Sequence, residues 1–156
     1  MGRKGMTLIE IMIVVALIAI MAAVAAAIYR PYIRKARRSD AFTVLKACYT
    51  AQQMYRAEHG EYCNMTESGD GFVCSDNITL SGCERRVPED SPYYLVDGRR
   101  YDNGTFSIWA NPTGSQEDDE WSFCINQDGD EYVAKDPNAS GPCPGGNWEL
   151  KGWEKI

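Results

Sequence analysis

A single histidine, His59, stands in the 156 residues, and no serine or cysteine lies in a nucleophile motif. There is no phosphate loop and no carboxylate pair in a recognisable catalytic frame. Catalysis therefore has nothing to work with, and no cofactor or metal is expected. The six cysteines, at 48, 63, 74, 83, 124 and 143, never form Cys-x-x-Cys, which removes zinc ribbons and haem-attachment sites. Internal repeats and low-complexity linkers are also missing. Basic residues are in deficit: 16 Lys and Arg face 22 Asp and Glu, a formal charge of −6. An acidic surface disfavours nonspecific nucleic-acid binding as the main role, and no specific nucleic-acid binding is expected either.

The most informative absence is local. From Ile11 to Tyr29, nineteen residues hold no charge, proline or glycine, and as a helix they span about 28 Å, close to one bilayer core. This reads as a membrane anchor. A secretory signal peptide has a shorter apolar core followed by a small-residue cleavage site, of which Ala26 and Ala27 offer only a loose version. The polar run here comes first: Met1 to Gly5 is a basic stub with Arg3 and Lys4 that ends in glycine. A cut after Gly5 would remove the stub and keep the helix.

Gly5, then Met6, Thr7, Leu8, Ile9 and Glu10, ahead of a long Ile/Val/Ala/Met run, closely resembles the class III signal of type IV pilins and the related type II secretion pseudopilins. The resemblance runs to about Tyr62, where "LKACYTAQQMYRAEHGEY" looks like the end of a pilin stem helix. It implies cleavage between Gly5 and Met6 by a membrane prepilin peptidase, N-methylation of Met6, and stems that pack into a filament core. Two positions depart from the common pattern. Met6 replaces the usual Phe, and the proline often found within the span is absent at Ala27, with Pro31 following instead. Any kink is expected just below Pro31, because proline lacks a donor and clashes with the preceding turn.

Glu10 raises an energetic question. A carboxylate in an apolar span costs roughly 3 kcal/mol or more, so a partner should offset it. No other charged side chain lies between residues 6 and 29. Cleavage creates a positive charge, the α-amine of Met6. It lies near one turn from Glu10 in the same chain, or meets Glu10 of a neighbour whose stem is offset by about 5 Å. Glu10 is thus expected to act in assembly.

Flanking charge and cysteine content point in opposite directions. Arg3 and Lys4 precede the span while Arg30, Arg34, Lys35, Arg37 and Arg38 follow it, which by count alone puts the C-terminal side in the cytoplasm. Six cysteines, all beyond the span, suit an oxidising compartment instead. The leader and the cysteines together favour export. Loss of the stub leaves 14 basic against 22 acidic side chains, a shift from −6 to −8.

Beyond the membrane, Ser39 is placed to cap a restarted helix on which Ala41, Leu45, Cys48, Gln52 and Tyr55 form one face, ending at Gly60. Residues 60–92 are read as a loop region. "YYLVD" (93–97), "GTFSIWAN" (104–111), "EWSFCIN" (120–126) and "EYVAK" (131–135) read as strands, separated by the turn signals Asp97-Gly98 with Asn103-Gly104, Pro112 to Gly114, and Asp128-Gly129. The tail is expected to return across the sheet edge with Trp148 and Trp153 as anchors.

The organisation expected is a leader (1–5), a transmembrane stem helix (6–29), its amphipathic continuation (30–59), the loop region, and an antiparallel sheet with a C-terminal disulfide loop (93–156). The fold class is α+β: a long helical stem packed on a small, disulfide-stapled antiparallel meander. Pilins commonly close a C-terminal loop with a disulfide, which implies Cys124 with Cys143. For the remaining four, a bond from Cys48 to Cys63 is strained but open, and Cys74 with Cys83 is preferred as the local loop closure.

Other features carry plain readings. The basic run Arg30 to Arg38 holds anionic lipid heads, pairs with acidic groups of neighbouring stems, or is merely solvated. "NQDGDE" offers Asn126, Asp128, Asp130 and Glu131 as oxygens. It fails the calcium-loop pattern at Glu131 and Pro137, so a hairpin turn is expected. Four sequons, at Asn64, Asn77, Asn103 and Asn138, are coincidental in the bacterial setting that the leader implies. The stem aromatics Tyr29, Tyr32, Phe42, Tyr49 and Tyr55 are read as packing.

The resemblance implies a structural subunit of a type IV pilus-like filament. Its partners would be identical or homologous subunits met through the stem, the prepilin peptidase, the inner membrane, and pilus or secretion assembly machinery. The precursor would sit in the inner membrane with its C-terminal domain outside the cytoplasm, and in an extracellular filament once assembled. The alternatives are a minor pilin, a secretion pseudopilin, or a membrane-anchored periplasmic binding module that never polymerises.

Overall fold

A computed structural model describes residues 7–69, 71–74, 76–88, 90, 92–153 and 156. The chain divides into two units, a stem unit ending at Ala36 and a sheet unit running from Arg37 to Ile156. One helix, α1 (Leu8–His59), includes Pro31 and has no break at Ser39. The expected restart is therefore corrected: the Ser39 carbonyl accepts the Thr43 hydroxyl at 3.0 Å, as an interior helical residue does. Packing keeps the helix going there, because Ala41, Leu45, Cys48 and Gln52 are fully buried. Gly60 ends it with φ +80° and its N–H bonded to the Arg56 carbonyl at 2.8 Å, a left-handed position that glycine fills without strain.

Two antiparallel sheets follow. β1 (Thr66–Ser68), β2 (Gly71–Val73) and β3 (Thr79–Glu84) form a three-stranded sheet. β4 (Arg86–Val87), β5 (Tyr94–Arg100), β6 (Phe106–Pro112), β7 (Ser122–Asn126), β8 (Glu131–Ala134) and β9 (Glu149–Leu150) form a six-stranded meander in chain order. Residues 60–92 thus carry four strands where a loop region is expected. β1 and β2 have three residues each, too short to show a period of two in sequence, and two disulfides supply the order that local propensity does not.

The central strands β6 and β7 are buried on both faces. Phe106, Ile108, Ala110, Phe123 and Ile125 join Ala41 and Leu45 of α1 in one core. Trp109, Cys124, Tyr132 and Ala134 join Ala139, Cys143 and Trp148 in a second. The tail covers that second face, with β9 paired to β8. Its two tryptophans part company. Trp148 seals the second core, while Trp153 stacks on Phe42 of α1 at 4.9 Å and donates its indole N–H to the Tyr132 carbonyl at 3.1 Å.

Asp97-Gly98 is not a turn. β5 runs through it, with Asp97 opposite Trp109 and Gly98 opposite Ile108. The hairpin turns later, where the Tyr101 N–H bonds the Thr105 carbonyl at 2.8 Å and Gly104 has φ +76°. Gly98 serves a close approach instead: a Cβ there would lie 2.0 Å from Met65 Cε and 3.3 Å from Ile108. Gly98→Ala is expected to destabilise the sheet unit by no more than about 1 kcal/mol, because the added methyl meets the flexible end of Met65, which can swing aside. Urea denaturation followed by tryptophan fluorescence measures it.

Candidate functional site

The stem unit presents an unpartnered apolar surface. Leu8, Ile9, Met12, Ile18, Ile20 and Met21 are each more than 60 % exposed. By length and composition α1 can cross a membrane. Glu10 stands in its first turn, where its N–H bonds Thr7 Oγ1 at 3.4 Å. The spacing Thr7-x-x-Glu10 is that of a capping box, and the carboxylate sits at the positive end of the helix dipole. The helix start is thus a second reason for an acidic residue here, legible in the sequence as Thr-x-x-Glu. The expected partner amine belongs to Met6, and Gly5 and Met6 lie outside the described residues, as do Arg3 and Lys4.

In the sheet unit a buried polar cluster ties α1 to the segment after β6. Arg38 grips Asp119 with two bonds, Nε to Oδ2 at 2.8 Å and Nη2 to Oδ1 at 2.7 Å, and its Nη1 donates to the Ile156 carbonyl at 3.1 Å. Tyr94 Oη and Gln116 Nε2 also donate to Asp119 Oδ2, at 2.7 and 3.0 Å. Burial alone would raise the Asp119 pKa, but the bonds from Arg38, Tyr94 and Gln116 outweigh it and hold the carboxyl below its ordinary value. Burial and the same carboxylate push the Tyr94 phenol far up. Beside this cluster Arg37 donates to the Ser115 carbonyl at 2.9 Å and lies over the Tyr93 ring. The Tyr93 hydroxyl donates to Asp40, and burial together with Asp40 lifts its pKa to about 12. Arg37 and Arg38, expected in a run that holds lipid heads, pairs with neighbouring stems or is merely solvated, bond instead within the sheet unit. The pairing of Arg38 with Asp119 spans 81 positions, and no local pattern announces it.

All six cysteines are paired: Cys48 with Cys83, Cys63 with Cys74, and Cys124 with Cys143. The local pairing of Cys74 with Cys83 and the strained pairing of Cys48 with Cys63 are both corrected. Cys48 is fully buried on the face of α1 toward β3, so its partner is Cys83 of that strand, while Cys63 just past the helix meets Cys74 after β2. Gln52 fixes that junction, accepting the Cys63 N–H at 2.9 Å and donating to its carbonyl at 3.2 Å. A buried glutamine on an otherwise apolar stripe is satisfied in this way. Ser107 Oγ accepts the Cys143 N–H at 3.1 Å, adding to the bond that holds the tail.

Among the described residues no group of His, Cys, Asp and Glu is arranged to hold a metal. The "NQDGDE" stretch is a hairpin turn in which Asn126 Oδ1 accepts the N–H groups of Asp128 and Asp130 at 3.0 and 2.9 Å. His59 stacks on Tyr55 at 4.1 Å at the end of α1, with Nε2 3.7 Å from Asp76. Phe42 and Tyr49 pack on Phe123 and Phe106, while Tyr29 and Tyr32 stay exposed.

Comparisons with known proteins agree with these features. A family described as "Type IV minor pilin ComP, DNA uptake sequence receptor" matches residues 27–127, and a "Prokaryotic N-terminal methylation motif" matches residues 1–26. The chain is 33 % identical over 116 residues to the "Type IV major pilin protein PilA" of Myxococcus xanthus (strain DK1622), covering 70 % of this chain and 53 % of that protein. It is 40 % identical over 112 residues to a "Type IV major pilin protein PilE1" of Neisseria gonorrhoeae, covering 72 % of this chain and 55 % of that one. The chain thus spans about half the length of these curated relatives. With the methylation motif matching the start of an apolar helix, and that helix followed by a disulfide-bonded antiparallel sheet, the chain belongs to the type IV pilin family.

Proposed function

We propose that this chain is a structural subunit of a type IV pilus-like extracellular filament, held as an inner-membrane precursor, cut after Gly5 and assembled through its stem. The observation that carries the reading is the run of exposed apolar side chains from Leu8 to Ala25, with Ile28 beyond it and a single carboxylate at its start. A surface of that kind is stable only in lipid or against other stems. Glu10 then sets the register, meeting the Met6 amine of a neighbouring subunit. In a dry core that attraction is stronger than in water, less its desolvation.

Glu10→Gln tests this. Insertion and cleavage should stay near wild type, and filament incorporation should fall sharply. Mass spectrometry of sheared filaments should find mature chains that begin at methylated Met6. Wild-type filament yield from the variant, or an intact Met1 to Gly5 in assembled subunits, would sink the proposal.

The family description favours a second reading, a minor pilin that receives DNA. The sheet unit opposes it electrostatically: residues 37–156 hold 11 basic against 21 acidic side chains, a net of −10. Abundance in purified filaments indicates a major subunit, and traces indicate a minor one. Salt-resistant binding of duplex DNA by the purified chain would favour the receptor.

A further inference from the structure

Among the described residues, the sheet unit carries an apolar groove beside α1. The groove, of about 380 Å³, lies between the outer side of α1 and the start of β3. On the helix it is bordered by two adjacent rows at spacing four, Ala47–Ala51–Tyr55 and Thr50–Met54–Glu58, and Ile78 closes it from the strand side. Met54 is 61 % exposed and Ile78 41 %, although large apolar side chains of this unit are otherwise mostly buried. Glu58 stands exposed at the upper end and has no ion-pair partner among the described residues.

The stem unit carries a matching ridge. Tyr29 and Tyr32 are 65 % and 73 % exposed, and Lys35, three residues on, is exposed with no partner among the described residues. Tyr29, Tyr32 and Lys35 form a row at spacing three, and such a ridge fits a groove between rows at spacing four. That combination sets helices at about +20°, nearly parallel, as stems in one filament must run. Seated in that groove, the ridge brings Tyr29 level with Ala51, Tyr32 level with Met54, and Lys35 within one residue of Glu58. Aromatic rings then meet small and flexible apolar side chains, and a cation meets a free carboxylate.

We propose that the groove is the seat for the Tyr29–Tyr32–Lys35 ridge of a second copy of this chain. The contact joins two different patches, so it does not close on itself and propagates as an open helical filament. It rests on the filament reading above and adds a longer-range neighbour to the one that Glu10 would engage.

A benzophenone amino acid replacing Tyr32 in a minority of subunits, within filaments sheared from cells, supplies the test. Irradiation should yield covalent dimers in which residue 32 is joined to the peptide containing Met54. Lys35→Glu and Glu58→Lys should each lower filament yield about tenfold at unchanged levels of mature chain, and the double variant should return to within about twofold of wild type. Filaments that contain the chain but cross-link elsewhere, or a double variant as poor as the singles, overturn this contact and leave the filament reading standing. Filaments without the chain overturn both.

Discussion

Asp119→Asn is expected to destabilise the sheet unit by about 3–5 kcal/mol, the usual loss when one partner of a buried ion pair is removed. The carboxylate is 2 % exposed and the Arg38 side chain 14 %, so solvent cannot take over either role. Asparagine keeps the shape but not the charge. It leaves the guanidinium without a counterion and offers a single oxygen to the groups that now converge on two. The pH dependence has a definite sign. The folded pKa of Asp119 lies below the ordinary 3.8, so its contribution is complete above that value and is lost as pH falls through the folded pKa. Urea denaturation of the purified chain in detergent, read by its four tryptophans, should show the deficit at pH 7 and a smaller one near pH 3. A loss under about 1 kcal/mol at pH 7 would show that the pair is no more than a surface-like contact.

Replacing Cys48 and Cys83 together by serine should lower stability by about 4 kcal/mol, the largest effect among the three disulfides. In the chain-entropy account a cross-link stabilises by shrinking the unfolded ensemble, more so for longer loops. The separations are 35 residues here against 19 and 11 for the other two. This bond also joins α1 to β3 directly, so its loss should loosen the three-stranded sheet first. Hydrogen exchange should show β1 to β3 opening before β5 to β8 in the variant. Peptide mapping without reduction checks the connectivity, and a Cys74 to Cys83 fragment would contradict it.

The sequence by itself determined the stem, the helix face that packs, the main strands and the family. An uncharged run without proline or glycine over residues 11–29, a spacing of three and four at Ala41, Leu45, Cys48 and Gln52, and β-branched or aromatic runs between turn residues are one-dimensional signals. Each reports a structure formed by neighbours in the chain. What only the tertiary structure decided depends on distant partners. Gly98 reads as a turn in sequence because glycine after aspartate commonly is one; Met65, 33 positions away, makes it a close approach in a strand. The six cysteines show that a stapled domain exists, but connectivity follows from where α1 lies against β3, which no spacing encodes. Arg37 and Arg38 look like the end of a membrane-proximal basic run, and their true partners follow β6 and reach the C-terminal residue. Burial decides that difference, because a charge taken out of water must find its counterpart in space.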